Sequence, residues 1–323
     1  MNGLLNTLGD DNRSNSVNGI SVDLGNSNSG NNVSGSNLNI LDNNSNNVIS
    51  GSNTNIGFGN DANSFTGNFN FVGSFNQNNI VTGISNSIAD NNNNNAISGS
   101  AIRVGTGNSS NILGGSTHNI ENFNSGNDIS GNNNRLGDSN RSNDVSGSFN
   151  TIGDFNAANA ISGSTITVGT NNSSNILGGS NHNIGNFNSG NDISGDNNRL
   201  GDSNRSNDVS GGFNTIGDFN AANAISGANN TIGNTNFVNH ISGQGNTLGD
   251  FAAGNTISGL GNTVAGGAAG TFQIGVAVSG VGNNVNSLGI AGSHVTVTGT
   301  GNTVNGAASG LSLIHISEPT RPY

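Results

Sequence analysis

A glycine stands at every sixteenth position from Gly3 to Gly259, with no insertion or deletion, which makes (259 − 3)/16 = 16 uninterrupted repeats. Self-similarity at a fixed period of this length is the signature of a repeat architecture, in which each unit buries its apolar face only by stacking on its neighbours. Numbered 1 to 16 and ending on that glycine, the repeat reads S-x-N-x-[ILV]-G-x-x-N-x-x-N-x-[ILV]-S-G, as in Ser148–Gly163. Position 5 is Leu, Ile or Val in every copy from Leu8 to Leu248. Position 14 is Val, Ile, Leu or Phe in every copy from Val17 to Ile257. Position 12 is asparagine throughout, at Asn15, Asn31, Asn47, Asn63, Asn79, Asn95, Asn111, Asn127, Asn143, Asn159, Asn175, Asn191, Asn207, Asn223, Asn239 and Asn255. Position 9 is Asn in fifteen copies, with Ala252 the exception. A second period lies above the first: Ser100–Gly163 matches Ser164–Gly227 at 57 of 64 positions, so blocks of four repeats were copied together.

Each repeat contains two similar halves, Asn150-Thr151-Ile152-Gly153 and Asn159-Ala160-Ile161-Ser162-Gly163 in the example above. Around each branched residue the order is polar, variable, apolar, small, which fits a short strand with Asn and Ile on one face. Asn and Gly are poor helix formers, and branched residues dominate the apolar columns. The expected fold is all-β: a single-stack parallel β-solenoid, of β-helix or β-roll type, with 16-residue coils. Two strands and two Gly/Asn turns per coil are expected, with glycine supplying the turn through its tolerance of positive φ. Stacked at the strand spacing of about 4.8 Å, the position-12 asparagines form an unbroken hydrogen-bonded ladder.

The composition then makes sense. The chain holds 72 Asn and 53 Gly among 323 residues, with apolar residues at only 30%. Low apolar content alone points to disorder, but a disordered tract has no reason to hold four columns fixed. Two obligatory apolar columns per coil are a thin core, so intercoil backbone bonds and the Asn ladders must carry much of the stability. Val22, Leu38, Ile102 and Ile166 replace Asn at position 3 and thicken the core locally, and Phe155, Phe187 and Phe219 at position 8 are expected to cover a corner. The thinness also invites a homo-oligomer or a cap.

Several classes are disfavoured. There is no run of about 18 apolar residues to span a membrane. Cysteine is absent, so there is neither a disulfide framework nor a cysteine zinc site. With no lysine and a net charge of −11, nucleic acid is not an expected partner. No signal peptide is seen in Met1–Gly19.

After Gly259 the clock breaks. Three regions follow: regular coils over 1–259, degenerate coils with insertions over 260–310, and a tail over 311–323. Leu260–Gly280 spans 21 residues and Val281–Gly299 spans 19, while the NTV triplet persists at Asn262–Val264 and Asn302–Val304. The tail LSLIHISEPTRPY holds both prolines and the single tyrosine. It resembles the in-frame translation of a transposase sequencing adapter over Leu311–Arg321, and is expected to be non-native. The natural chain is then expected to continue past Gly310, and before Met1 as well.

The segments Asn55–Asn60 (NIGFGN), Asn183–Asn191 (NIGNFNSGN) and Ile152–Asn156 (IGDFN) resemble the Asn/Gly-rich tandem repeats of mycobacterial PPE proteins. The alternation is also similar to head repeats of trimeric autotransporter adhesins. Here the spacing is a strict 16, and the Ile-Ser-Gly half is unlike the PPE pattern. Both resemblances imply a secreted or cell-surface bacterial protein and supply no catalytic residue. The function expected is a non-enzymatic structural or adhesin-like stalk, with a host or extracellular glycan or protein surface as partner.

Residues with chemistry are few and repeat with the blocks. His118 and His182 both replace Asn at position 3, four coils apart, too far to share a metal. Asp138 and Asp154 stack at position 7, as do Asp202 and Asp218; Asp128 and Asp144 stack at position 13, as do Asp192 and Asp208. Neighbouring carboxylates one strand apart could gather a weakly held Ca²⁺, or pair with Arg135, Arg141, Arg199 and Arg205. No other cofactor is expected. Paired carboxylates also serve polysaccharide cleavage, but each cluster here occurs twice and lacks an irregular loop. Ice binding is an alternative, since Thr151, Thr167, Thr215, Thr231 and Thr247 share position 4, interrupted by Arg135, Asn183 and Arg199. Polysaccharide binding is the other.

Overall fold

The computed structural model describes residues 2–267, 272–286, 295–305 and the backbone of 314–315. All regular structure among them is strand, and almost every pairing is parallel between residues sixteen apart, as in Gly227↔Gly243 and Thr215↔Thr231. The chain is a parallel β-solenoid in which equivalent positions lie in register. It divides into two compact units, Met1–Ser164 and Thr165–Tyr323, each built from these coils.

One coil of the second unit, residues 212–227, shows the construction. The strand Thr215–Ile216 is followed by a single bridging residue, Ala221, and then by the strand Ala224–Ala228. The three straight segments meet at Phe213, Phe219 and Ala222, with φ of 58°, 58° and 56°. The corners are therefore left-handed residues at positions 2, 8 and 11, so there are three rather than the expected two. Most corner residues carry side chains. The left-handed region costs a residue with a Cβ about 1–2 kcal/mol, which stacking overcomes at each corner.

Directly after each corner comes an inward-facing residue at position 3, 9 or 12, here Asn214, Asn220 and Asn223, all buried. Positions 5 and 14, Ile216 and Ile225, complete the interior of the coil. At a corner the chain turns away from the strand direction, and the amide beyond it loses its regular sheet partner. The Asn side chain supplies one: the Asn214 N–H donates to Asn198 Oδ1 at 3.0 Å, the Asn220 N–H to Asn204 Oδ1 at 2.8 Å, and the Asn223 N–H to Asn207 Oδ1 at 3.0 Å. The abundance of asparagine is thus three ladders, one per corner, satisfying buried backbone groups that would otherwise be orphaned.

The invariant glycine lies elsewhere. Gly227, Gly243 and Gly259 sit inside strands, with φ of 102–106°. A Cβ on Gly227 would lie 2.9 Å from the carbonyl carbon of Gly243 and closer still to its oxygen. The assignment of this glycine to a turn is therefore corrected: it permits close stacking of strand on strand in a torsion closed to other residues.

Val22, Leu38, Ile102 and Ile166 are buried in the position-3 column, as expected. Phe155, Phe187 and Phe219 are not covers: they occupy the position-8 corner with their rings about 60% exposed. Past Gly259 the stacking continues as Gly259↔Gly280↔Gly299, with offsets of 21 and 19 residues. The position-3 ladder runs on through Asn262, Asn283 and Asn302. The position-12 ladder ends at Asn255, whose Oδ1 accepts the Val276 N–H at 2.7 Å, and valine takes over the interior at Val276, Val278 and Val297. The tail lies outside the described residues except for the backbone of Ile314–His315, which pairs with Val297–Thr298.

One corner is poorly suited to its residue. Val238 is β-branched, exposed, and left-handed at φ 55°. Val238→Asn is expected to stabilise the protein by about 1 kcal/mol, because Asn tolerates this torsion. Urea unfolding checks it: an unchanged or lower midpoint would contradict the corner assignment.

Candidate functional site

The position-12 ladder is the most complete. The Asn207 N–H and Nδ2 each donate to Asn191 Oδ1 at 3.0 Å, and Nδ2 also donates to the Asn220 carbonyl at 3.0 Å. Asn207 Oδ1 in turn accepts the N–H and Nδ2 of Asn223, both at 3.0 Å. Each side chain thus uses both donors and both acceptor directions. The same amide-to-amide bond links Asn15 through Asn159 in the first unit and Asn175 through Asn255 in the second. Position 9 is less complete: Nδ2 of Asn28, Asn76, Asn124, Asn140 and Asn236 is buried without a described partner.

His118 and His182 act as asparagine substitutes. His118 Nδ1 accepts the Asn134 N–H at 3.3 Å and Nε2 meets the Gly114 carbonyl at 2.9 Å. His182 repeats this with Asn198 at 3.3 Å and Gly178 at 2.8 Å. Since an amide only donates and a carbonyl only accepts, the ring carries its proton on Nε2. Both rings are buried on an interior file. His118→Asn is expected to change stability by less than about 1.5 kcal/mol, because Asn makes the same bonds elsewhere in the column at the cost of a small void. Thermal unfolding reads it; a collapse of the fold would mean the ring does more than imitate Asn.

The position-7 aspartates form a fourth ladder, on the outside. The Asp138 N–H donates to Asp154 Oδ1 at 2.8 Å, and the Asp202 N–H to Asp218 Oδ1 at 2.7 Å. Asn does the same, as where the Asp218 N–H donates to Asn234 Oδ1 at 2.7 Å. These side chains reach back to the preceding coil, whereas the interior Asn oxygens accept from the following one. The Asp, Asn, Ser and Thr that recur at position 7 were its sequence signal. Asp128↔Asp144 and Asp192↔Asp208 are register neighbours on exposed strand positions. Among the described residues no group of three or more His, Asp or Glu converges as a metal site would require. The expected Arg–Asp pairing is corrected: the one described ion pair joins Arg135 to Glu121 at 3.5 Å, and both are solvent-accessible.

Other outward features depart from the repeat. Thr215, Thr231, Thr247 and Thr263 stack in one file, longer than the sequence columns suggested. An open groove of about 610 Å³ is lined by Gly57, Phe58, Phe71, Gly73 and Asp90 among others. The sequence sign of this groove is Phe58, which replaces the usual polar residue at position 7. A file of exposed phenylalanines follows the position-8 corner. No protein-family model matches the chain, and no curated protein matches its sequence.

Proposed function

We propose that this chain is a non-enzymatic repeat stalk of a secreted or cell-surface bacterial protein, adhesin-like in acting through repeated outward files of side chains. The observation that carries this reading is the commitment of polar chemistry to architecture. Interior Asn and His bridge coil to coil, and the outer Asp and Asn of position 7 cap backbone amides. Blocks of four coils are then interchangeable in kind. Removing Ser164–Gly227 joins Gly163 to Ala228 in phase. The shortened chain is expected to keep its strand spectrum by circular dichroism, with a smaller hydrodynamic size and any surface adhesion qualitatively retained. Loss of all adhesion from one point substitution would point instead to a discrete site. Ice binding is a second reading, resting on the four-threonine file; absence of thermal hysteresis in purified protein discards it.

A further inference from the structure

We propose that the position-8 phenylalanine file of the second unit binds a neutral, extended β-1,4-linked polysaccharide. Phe187, Phe219 and Phe251 recur every 32 residues (219 − 187 = 251 − 219 = 32), which is every second coil. Their spacing along the stack is about 9.6 Å, twice the strand spacing. Between them stand the small polar residues Ser203 and Thr235, so the file alternates ring and gap. Phe187 and Phe219 are about 60% exposed, while Phe251 rests edge-on against Phe272 at 6.1 Å between centroids. Exposed aromatic side chains on left-handed corners are costly placements that the fold does not need, since Ser, Asn and Thr hold the same corner in other coils.

The spacing identifies the ligand's repeat. In an extended β-1,4-linked chain each sugar advances by about one strand spacing and alternate rings present the same face, so the disaccharide repeat is close to two coils. Apolar C–H faces of alternate sugars then meet successive phenylalanines. Beside the file run Asn186, Asp202, Asp218, Asn234 and Asp250 at position 7. Oδ1 of Asp202 and of Asp218 is engaged by backbone amides, which leaves Oδ2 of each to accept from hydroxyls. These carboxylates and the net charge of −11 select against an anionic polymer. They also select against a second copy of the chain, which would bring two carboxylate files together.

The proposal is separate from the stalk reading, which survives its failure. The test is depletion of the full chain from solution by microcrystalline cellulose and by chitin, with starch granules as control. Retention on cellulose or chitin but not on starch is expected. Phe187→Asn with Phe219→Asn should weaken binding at least about tenfold, the loss of roughly one aromatic contact or more. Asn suits both corners, so circular dichroism should be unchanged; Phe213→Asn, at a different corner, should bind as the parent does. No retention on either polymer, or equal binding by the double variant, overturns the proposal. So does concentration-dependent self-association that the double variant abolishes, which would assign the file to a second copy.

Discussion

Asn207→Asp should destabilise the solenoid by about 4 kcal/mol or more, although it changes one amide to a near-isosteric carboxylate. The existing Nδ2 faces two acceptors, Asn191 Oδ1 and the Asn220 carbonyl, each at 3.0 Å. An oxygen placed there repels both, in a buried position with no cation to compensate. The other oxygen still accepts from Asn223, so the loss is of donors alone. The penalty should shrink in acid, where a protonated carboxyl can donate one of the two bonds. Asn236→Asp provides the contrast. Its Oδ1 accepts the Ala252 N–H at 2.7 Å, and its Nδ2 has no described partner. That variant loses no donated bond and should cost less than its position-12 counterpart. Equal losses in urea unfolding would show that the bonds donated by the position-12 amide matter little.

Gly227→Ala should cost roughly 3–5 kcal/mol, combining overpacking against the next strand with a strained torsion. The added methyl would collide with the Gly243 peptide, and neither partner is a side chain that can swing away. At Gly254, a corner with φ 64°, an added Cβ meets nothing within 4 Å. Gly254→Ala should therefore cost only about 1 kcal/mol, the price of the left-handed region. The pair separates the two uses of glycine in one chain: relief of crowding and relief of torsion. Similar unfolding midpoints for both variants would contradict the assignment.

The difference between these glycines explains what the sequence could and could not convey. Positions 5, 12 and 14 were legible because burial admits few residue types there, and stacking repeats the demand in each coil. The position-16 glycine is equally visible but reads as a turn, because invariance alone does not distinguish a torsion from a close contact. The corners were hidden for the opposite reason. Phe213, Asn229, Ser206 and Ala222 all adopt the left-handed conformation, so no single residue type marks it. The torsion is imposed by stacking, and the reliable sign is the Asn that follows. At position 7 the aspartates read from the sequence as charges for a cation or an arginine. Their main described bond is to a backbone amide one coil away, a role Asn shares and charge therefore does not reveal. Arg135 finds Glu121 instead, which stands where most repeats carry the position-6 glycine.

Residues sixteen apart are stacked in parallel register. The chain contains no cysteine, so two can be placed and labelled cleanly. Thr215 and Thr231 are exposed register partners. Nitroxides attached at these two positions should lie about 5 Å apart at the backbone, close enough for strong spin exchange. A pair at Thr215 and Ala224, on different segments, should show none. An exchange-broadened spectrum for the first pair alone is the expected result. Independent, mobile labels at Thr215 and Thr231 would contradict the solenoid and its ladders together.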